Sequence, residues 1–200
     1  METVALELDS NAFCQLGAAG LLTDAVGLFG VDLSECVRLP ALPHMLRRGK
    51  LRTHLGNSLS DELIPMANSI TTIGAAAPEW IDRLIPVPDI DPDDAQLLAL
   101  AAEHGHTLLT DDKRALRAVK AVPEVAVKLS GKVAVLDAVL LALCDKLGPD
   151  EVARRIQPVL SINKELKICF SGGNSDPRAG LRSYFENLVR EVDPLMLWRP

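Results

Sequence analysis

The chain has 200 residues, 48% of them hydrophobic and 24% charged, and a formal net charge of −6. That length suits one domain, or one domain with an extension, and can bury a sizeable core without disulfides, which excludes intrinsic disorder for most of the chain. An acidic protein gathers no nucleic acid by its overall field, so any phosphate binding falls to local basic patches.

The N-terminal residues METVALELDS lack a basic segment followed by an apolar run, so no signal peptide is expected. The longest apolar stretch, VAVLDAVLLALC, is too short to span a membrane and contains Asp137. Cys14, Cys36, Cys144 and Cys169 are scattered without zinc-ligand spacing and read as small buried residues of a reducing compartment. The expectation is a cytoplasmic protein with no membrane contact.

Residues 3–8 (TVALEL) read as a strand that ends at Asp9. In the following SNAFCQLGAAG, Ser10 or Asn11 suits a helix cap, and Gly17 and Gly20 suit breaks. VDLSECVRL is a second strand region, and Leu42 to Arg52 reads as a helix with a basic polar face. Another helix is expected over residues 60–70, capped by Ser60 with Asp61 and Glu62 in its first turn, where the helix dipole favours acids. GAAAPEW and LIPVPDIDP read as connection.

Pro92 starts the clearest helix, DDAQLLALAAEH, and Gly105 stops it. HTLLT is then a strand, DDKRALRAVKA a helix, VAVKL a strand, and GKVAVLDAVLLALCDKLG one buried helix. Beyond residue 148, PDEVARRIQPVL reads as a helix, ELKICF as a strand, FSGGNSDP as a flexible loop and LRSYFENLVREV as an amphipathic helix. Alternating helices and short apolar strands predict a three-layer α/β/α domain over residues 1–148, with a central mainly parallel sheet. Residues 149–200 form a helical extension packed on or beside it, or used in self-association.

In open parallel sheets, ligands sit beyond the carboxyl ends of the strands. Asp9 follows the first strand and Asp111-Asp112 follow TLLT. Asp94 opens the helix that leads into TLLT, and a helix running out about 15 Å and a strand running back return Asp112 toward it. Two carboxylates 5 Å apart repel by roughly 3 kcal/mol at an effective dielectric near 20, so such a group takes up protons or binds a divalent cation. Hard oxygen donors suit Mg²⁺ or Mn²⁺. Asp93, Asp94, Asp111 and Asp112 all sit at predicted helix starts, and each taken alone reads as a helix cap before it reads as a ligand.

DDAQLLALAAEHGHTLLTDDKRAL resembles the helix and strand that carry the third acid and T-x-D motif of PIN domains, through Asp94, Gly105, Thr110 and Asp112. VALELDSNAF resembles that family's first strand, with Asp9, Ser10 and Asn11 in its acid–Ser/Thr–Asn pattern. The likeness covers roughly residues 3–148, with recognisable motifs in these two blocks. It implies a metal-dependent endoribonuclease that attacks RNA with water, often the toxin of a toxin–antitoxin pair whose antitoxin is a protein partner. Carried over, Asp9, Asp94 and Asp112 are catalytic metal ligands for Mg²⁺ or Mn²⁺, supported by Ser10, Asn11 and Thr110. Asp111 is an additional ligand or a solvated neighbour.

One departure stands out. The family's further acid, commonly Glu after the second strand, is missing from RLPALPHMLRRGKLRTH. His44 falls near its place, and Asp61 or Glu62 would substitute if the helix boundaries differ. Without a substitute, the fold becomes a catalytically degenerate module that binds RNA or protein; fewer than three converging carboxylates would favour that reading.

Arg47, Arg48, Lys50 and Arg52, together with Arg38, make a basic stretch that suits RNA phosphates or a solvated helix face. Lys113 and Arg114 offer a second set beside Asp112. Asp137 either joins the site, lies at a helix edge or meets a basic partner. A generic nucleotide-binding domain or phosphatase lacks support, since no Gly-rich loop and no second Asp two residues on follows Asp9.

Overall fold

The computed structural model describes residues 5–171 and 176–200. Among these residues five strands form one all-parallel sheet: β1 (Leu6–Leu8), β2 (Cys36–Arg38), β3 (Thr71–Thr72), β4 (Thr107–Thr110) and β5 (Val133–Val135), in the spatial order β3-β2-β1-β4-β5. β1 is buried on both faces, as a parallel sheet requires when helices cover both sides. This is the expected α/β architecture, although the strands are only two to four residues long.

Helices α1 (Ser10–Ala18), α2 (Leu22–Val26), α3 (Leu42–Arg48), α4 (Lys50–Leu55), α5 (Asn57–Ser69) and α6 (Pro78–Leu84) occupy the first half. Asp9, not Ser10 or Asn11, caps α1 by accepting the Ala12 N–H at 3.3 Å. Gly17 lies within that helix rather than breaking it, and a Cβ there would stand 2.5 Å from Leu63 of α5. The long basic helix expected from Leu42 splits into α3 and α4 at Gly49. α5 starts three residues earlier than expected, so Ser60 is a buried mid-helix residue rather than its cap. α6 lies in the stretch read as connection, started by Pro78.

The second half contains α7 (Pro92–His104), α8 (Lys113–Val119), α9 (Pro123–Leu129) and α10 (Leu136–Leu147). Gly105 ends α7 at φ 71°, a left-handed conformation that costs glycine little. Two expectations fail here. VAVKL is helix α9 rather than a strand: Val125, Ala126 and Leu129 are buried while Val127 is exposed, which is helical and not alternating spacing. The strand lies instead at Val133–Val135, within the run read as one helix, and α10 begins at Leu136. A continuous apolar run has no periodicity to separate a buried strand from the buried helix that follows it.

Beyond residue 148 lie α11 (Pro149–Arg155), α12 (Lys164–Phe170) and α13 (Pro177–Val192). The expected strand ELKICF is α12, capped by Asn163, which accepts the Leu166 N–H at 3.0 Å. Residues 172–175 of the loop FSGGNSDP fall outside the described residues. α13 lays Leu181, Phe185, Leu188 and Val192 against the body of the fold, chiefly α10. The chain then returns to the sheet: Trp198 N–H donates to Val133 O at 2.8 Å and Gly131 N–H to Met196 O at 2.7 Å. The extension therefore completes the core and pairs with β5. Among the described residues no helix is long and apolar enough to cross a membrane.

Because α13 shares its buried face with α10, it unfolds with the sheet. Phe185→Ala is expected to cost about 3–5 kcal/mol, the usual loss for a buried aromatic. Urea denaturation followed by circular dichroism and by tryptophan fluorescence should keep one coincident transition, whereas two separated transitions would make residues 149–200 an independent unit.

Candidate active site

The strand order reverses at β1, whose neighbours are β2 on one side and β4 on the other. The crevice at such a reversal opens beyond the carboxyl ends of the strands. Asp9 leaves β1 there, and Asp111 and Asp112 leave β4 beside it: Asp9 N–H donates to Leu109 O at 3.0 Å. Asp9 is 6% exposed. Its Oδ2 accepts from Ala12 N–H at 3.3 Å, and from Thr110 Oγ1 and Asp111 N–H, each at 3.5 Å. Burial pushes its carboxyl above the usual range; the N–H groups of Ala12, Asn11 and Asp111 oppose this, and the charge of Asp112 adds to it. Thr110 also accepts the Asp112 N–H at 3.0 Å, so one hydroxyl braces both acids.

Asp112 is the cap of α8. Its Oδ1 accepts the N–H groups of Arg114 and Ala115, both at 2.9 Å, while Oδ2 meets only the exposed Arg114 guanidinium at 3.3 Å. Capping thus falls to Asp112 and not to Asp111. Asp111 is held sideways: its Oδ2 accepts from Gln15 Nε2 at 2.7 Å and from Asn163 Nδ2 at 3.3 Å. Burial raises the Asp111 carboxyl to about 7; the Gln15 hydrogen bond and Lys113 pull it back, and Asp137 and Asp9 push it further.

Asp94 does not cap its helix. Asp91 does so, accepting the Asp94 N–H at 2.9 Å. The Asp94 side chain is left with a buried Oδ2 that has no hydrogen-bond partner. Burial, then the charges of Asp112, Asp91 and Asp9, push this carboxyl up to about 8. Asp94, Asp112 and Asp9 thus share one electrostatic field. They do not form a ready cage: among the described residues no three His, Cys, Asp or Glu side chains are arranged to hold a metal ion. The donors are all hard oxygens, and a buried carboxylate oxygen without a partner suits a divalent cation in place of a proton.

The other candidates lie elsewhere. His44 is exposed on α3. Asp61 is exposed and bound to Arg52 at 2.6 Å, and Glu62 accepts from Ser58 at 3.2 Å. None of these three belongs to a metal-binding group. Ser10 and Asn11 form the first turn of α1, and Asn11 faces the cleft beside Asp111 and Asp112. Arg38 is buried and donates to Ala67 O and Leu39 O, so it ties β2 to α5 instead of lining a rim. Lys113 is no rim cation either. It is 10% exposed, and its ammonium contacts Asp137, at 2.6 Å, and Glu165. Asp137 therefore meets a basic partner.

Three clefts with shared lining residues neighbour one another here. The central one, about 430 Å³, is walled by Asn11, Asp111, Asp112 and residues Ile162–Glu165. It shares Arg114 and Arg117 with a cleft of about 530 Å³ that reaches Lys120 and Val87. On the other side it shares Asn11 and Ile162 with one of about 420 Å³, lined by Leu51, Thr53 and His54 of α4. Arg47, Arg48 and Lys50 are exposed on α3 and α4, the second of which borders this end. Gln15 and Asn163 escaped the sequence reading. Gln15 stands one helical turn after Asn11 and so on the same face, a detectable signal; Asn163 comes from the extension and carries none. Comparison of the chain with family models, with curated proteins and with solved structures finds no match in any of the three.

The raised Asp94 carboxyl has a definite sign. Its folded-state value stands above the ordinary 3.8, so it favours folding fully only below that value, and the contribution is lost as pH rises toward about 8. Asp94→Asn should therefore match the wild type near pH 4 and melt several degrees higher near pH 8 in chelator, a gain of roughly 0.5–2 kcal/mol. Thermal melts across that range check it. Asp112→Ala should instead lose about 1 kcal/mol of stability through the missing cap, read in the same melts.

Proposed function

We infer that the chain is a PIN-like, metal-dependent endoribonuclease that hydrolyses RNA phosphodiesters with water as the nucleophile. The observation that carries this reading is Asp94. A carboxylate kept from its helix-capping role, half-buried beside Asp112 and Asp9 with an unpartnered oxygen, is costly to the fold and useful to a cation. Asp9, Asp94 and Asp112 would hold Mg²⁺ or Mn²⁺. Such an ion supplies Lewis-acid stabilisation of the phosphoryl oxygens and a lowered water pKa. The chain's own contribution is to brace two of these acids through Thr110, to fix Asp9 with backbone N–H groups, and to offer Arg114 beside Asp112 for a phosphate. The succession of neighbouring clefts suits an extended single strand better than a rigid duplex.

A second reading rests on a different observation. Among the described residues no three ligand side chains are arranged as a cage, and exposed His44 falls near the place of the fourth acid. That favours a catalytically degenerate module that binds RNA or a protein partner through the same groove.

Cleavage of single-stranded RNA panels with Mg²⁺ or Mn²⁺, alongside calorimetric metal titration, separates the two. The nuclease reading expects cleavage that falls to background in Asp9→Asn, Asp94→Asn and Asp112→Asn. It also expects metal binding to vanish in Asp112→Asn and survive in Asp111→Asn. RNA retention with neither cleavage nor metal binding would establish the module.

A further inference from the structure

A second acidic group lies beside the first and comes from three separate elements. Asp111 stands on the β4–α8 turn, Asp137 in the first turn of α10 just past β5, and Glu165 in the first turn of α12. Asp137 is 2% exposed, a position where an unpaired carboxylate is costly. What neutralises it is Lys113. The Lys113 stem is buried, and its ammonium lies 2.6 Å from Asp137 Oδ2, off the direction of a well-formed hydrogen bond, and also contacts Glu165. The Tyr184 ring lies beneath it, 5.5 Å from Nζ to the centroid. Asp111, two residues before Lys113, is steadied by Gln15 and Asn163.

A compact, strongly hydrated point charge held between two carboxylates stands where a small metal ion could also sit. Lysine differs in being covalently attached, so no free ion needs to be captured. We propose that Lys113 is the resident cation of a second acidic subsite, built by Asp137 and Glu165 beside Asp111, and that it limits this edge of the sheet to one exchangeable divalent ion. The limit of one ion rests on the metal-dependent reading above. The subsite itself does not.

The experiment is metal titration of the wild type, Lys113→Met and Lys113→Met/Asp137→Asn by calorimetry with Mn²⁺, with thermal melts in chelator and in millimolar Mn²⁺. The expected result is one ion for the wild type and two for Lys113→Met, the second lost in the double variant. The melting temperature of Lys113→Met should rise in Mn²⁺ by several degrees more than that of the wild type. A purely structural ion pair would instead make Lys113→Met less stable, with no added ion and no added Mn²⁺ response; that overturns the proposal and leaves the nuclease reading intact if the wild type still binds one. A wild type that binds none, with Lys113→Met binding one that Asp137→Asn removes, upholds the subsite and removes the nuclease reading. If Lys113→Met does not fold in chelator, refolding with Mn²⁺ present decides: recovery supports the subsite, and failure in both media overturns it.

Discussion

Repulsion among carboxylates at the carboxyl edge of a parallel sheet is the constraint around which the rest of the structure is arranged. Asp9 and the Asp111-Asp112 pair leave adjacent strands, while Asp94 and Asp137 stand at helix starts beside them. Two of these acids, Asp9 and Asp112, are satisfied as helix caps, and the others by different groups. Asp9 is bonded by backbone N–H groups, Asp112 by the first turn of its own helix, Asp111 by two amide side chains, Asp137 by an ammonium. Asp94 has an oxygen with no partner and is driven toward protonation. The distribution leaves the least compensated acid on the helix that leads into β4, within the field of the acid that caps the helix leaving it.

Much of this was legible because the informative residues are close in sequence. The block from Asp93 to Leu116 contains a helix start, a glycine stop, an apolar strand and a turn, and local chemistry specifies each one. The position of Asp9 followed from the strand-end rule and from the acid–Ser–Asn pattern after the first strand. Failure came where burial is uniform. Val133–Val135 and the start of α10 are almost uniformly buried, so neither period 2 nor period 3.6 separates the strand from the helix, and Val125–Leu129 offered an alternation that tertiary packing overrides.

The role of individual acids was less legible than their location. Whether an Asp caps or waits for a ligand depends on a neighbour two or three residues away: Asp91 relieves Asp94 of capping, and no residue relieves Asp112. Lys113 reads as an exposed helix-start cation until the extension is folded over it. Glu165 and Tyr184 lie 52 and 71 positions further along the chain, a separation at which no local pattern speaks. The extension is thus part of the site's electrostatics as well as of the core.

The return of residues 196–198 to β5 has a consequence for how copies of the chain can meet. An open sheet exposes two rows of unpaired backbone groups, and such rows invite strand addition by a neighbour. Here one row is already occupied by the chain's own Met196–Trp198, which bonds to Gly131 and Val133. The opposite row belongs to β3, only Thr71 and Thr72 long. Neither border offers a template long enough for main-chain pairing, so contacts between copies are directed to helix surfaces, and the sheet is shielded from runaway stacking.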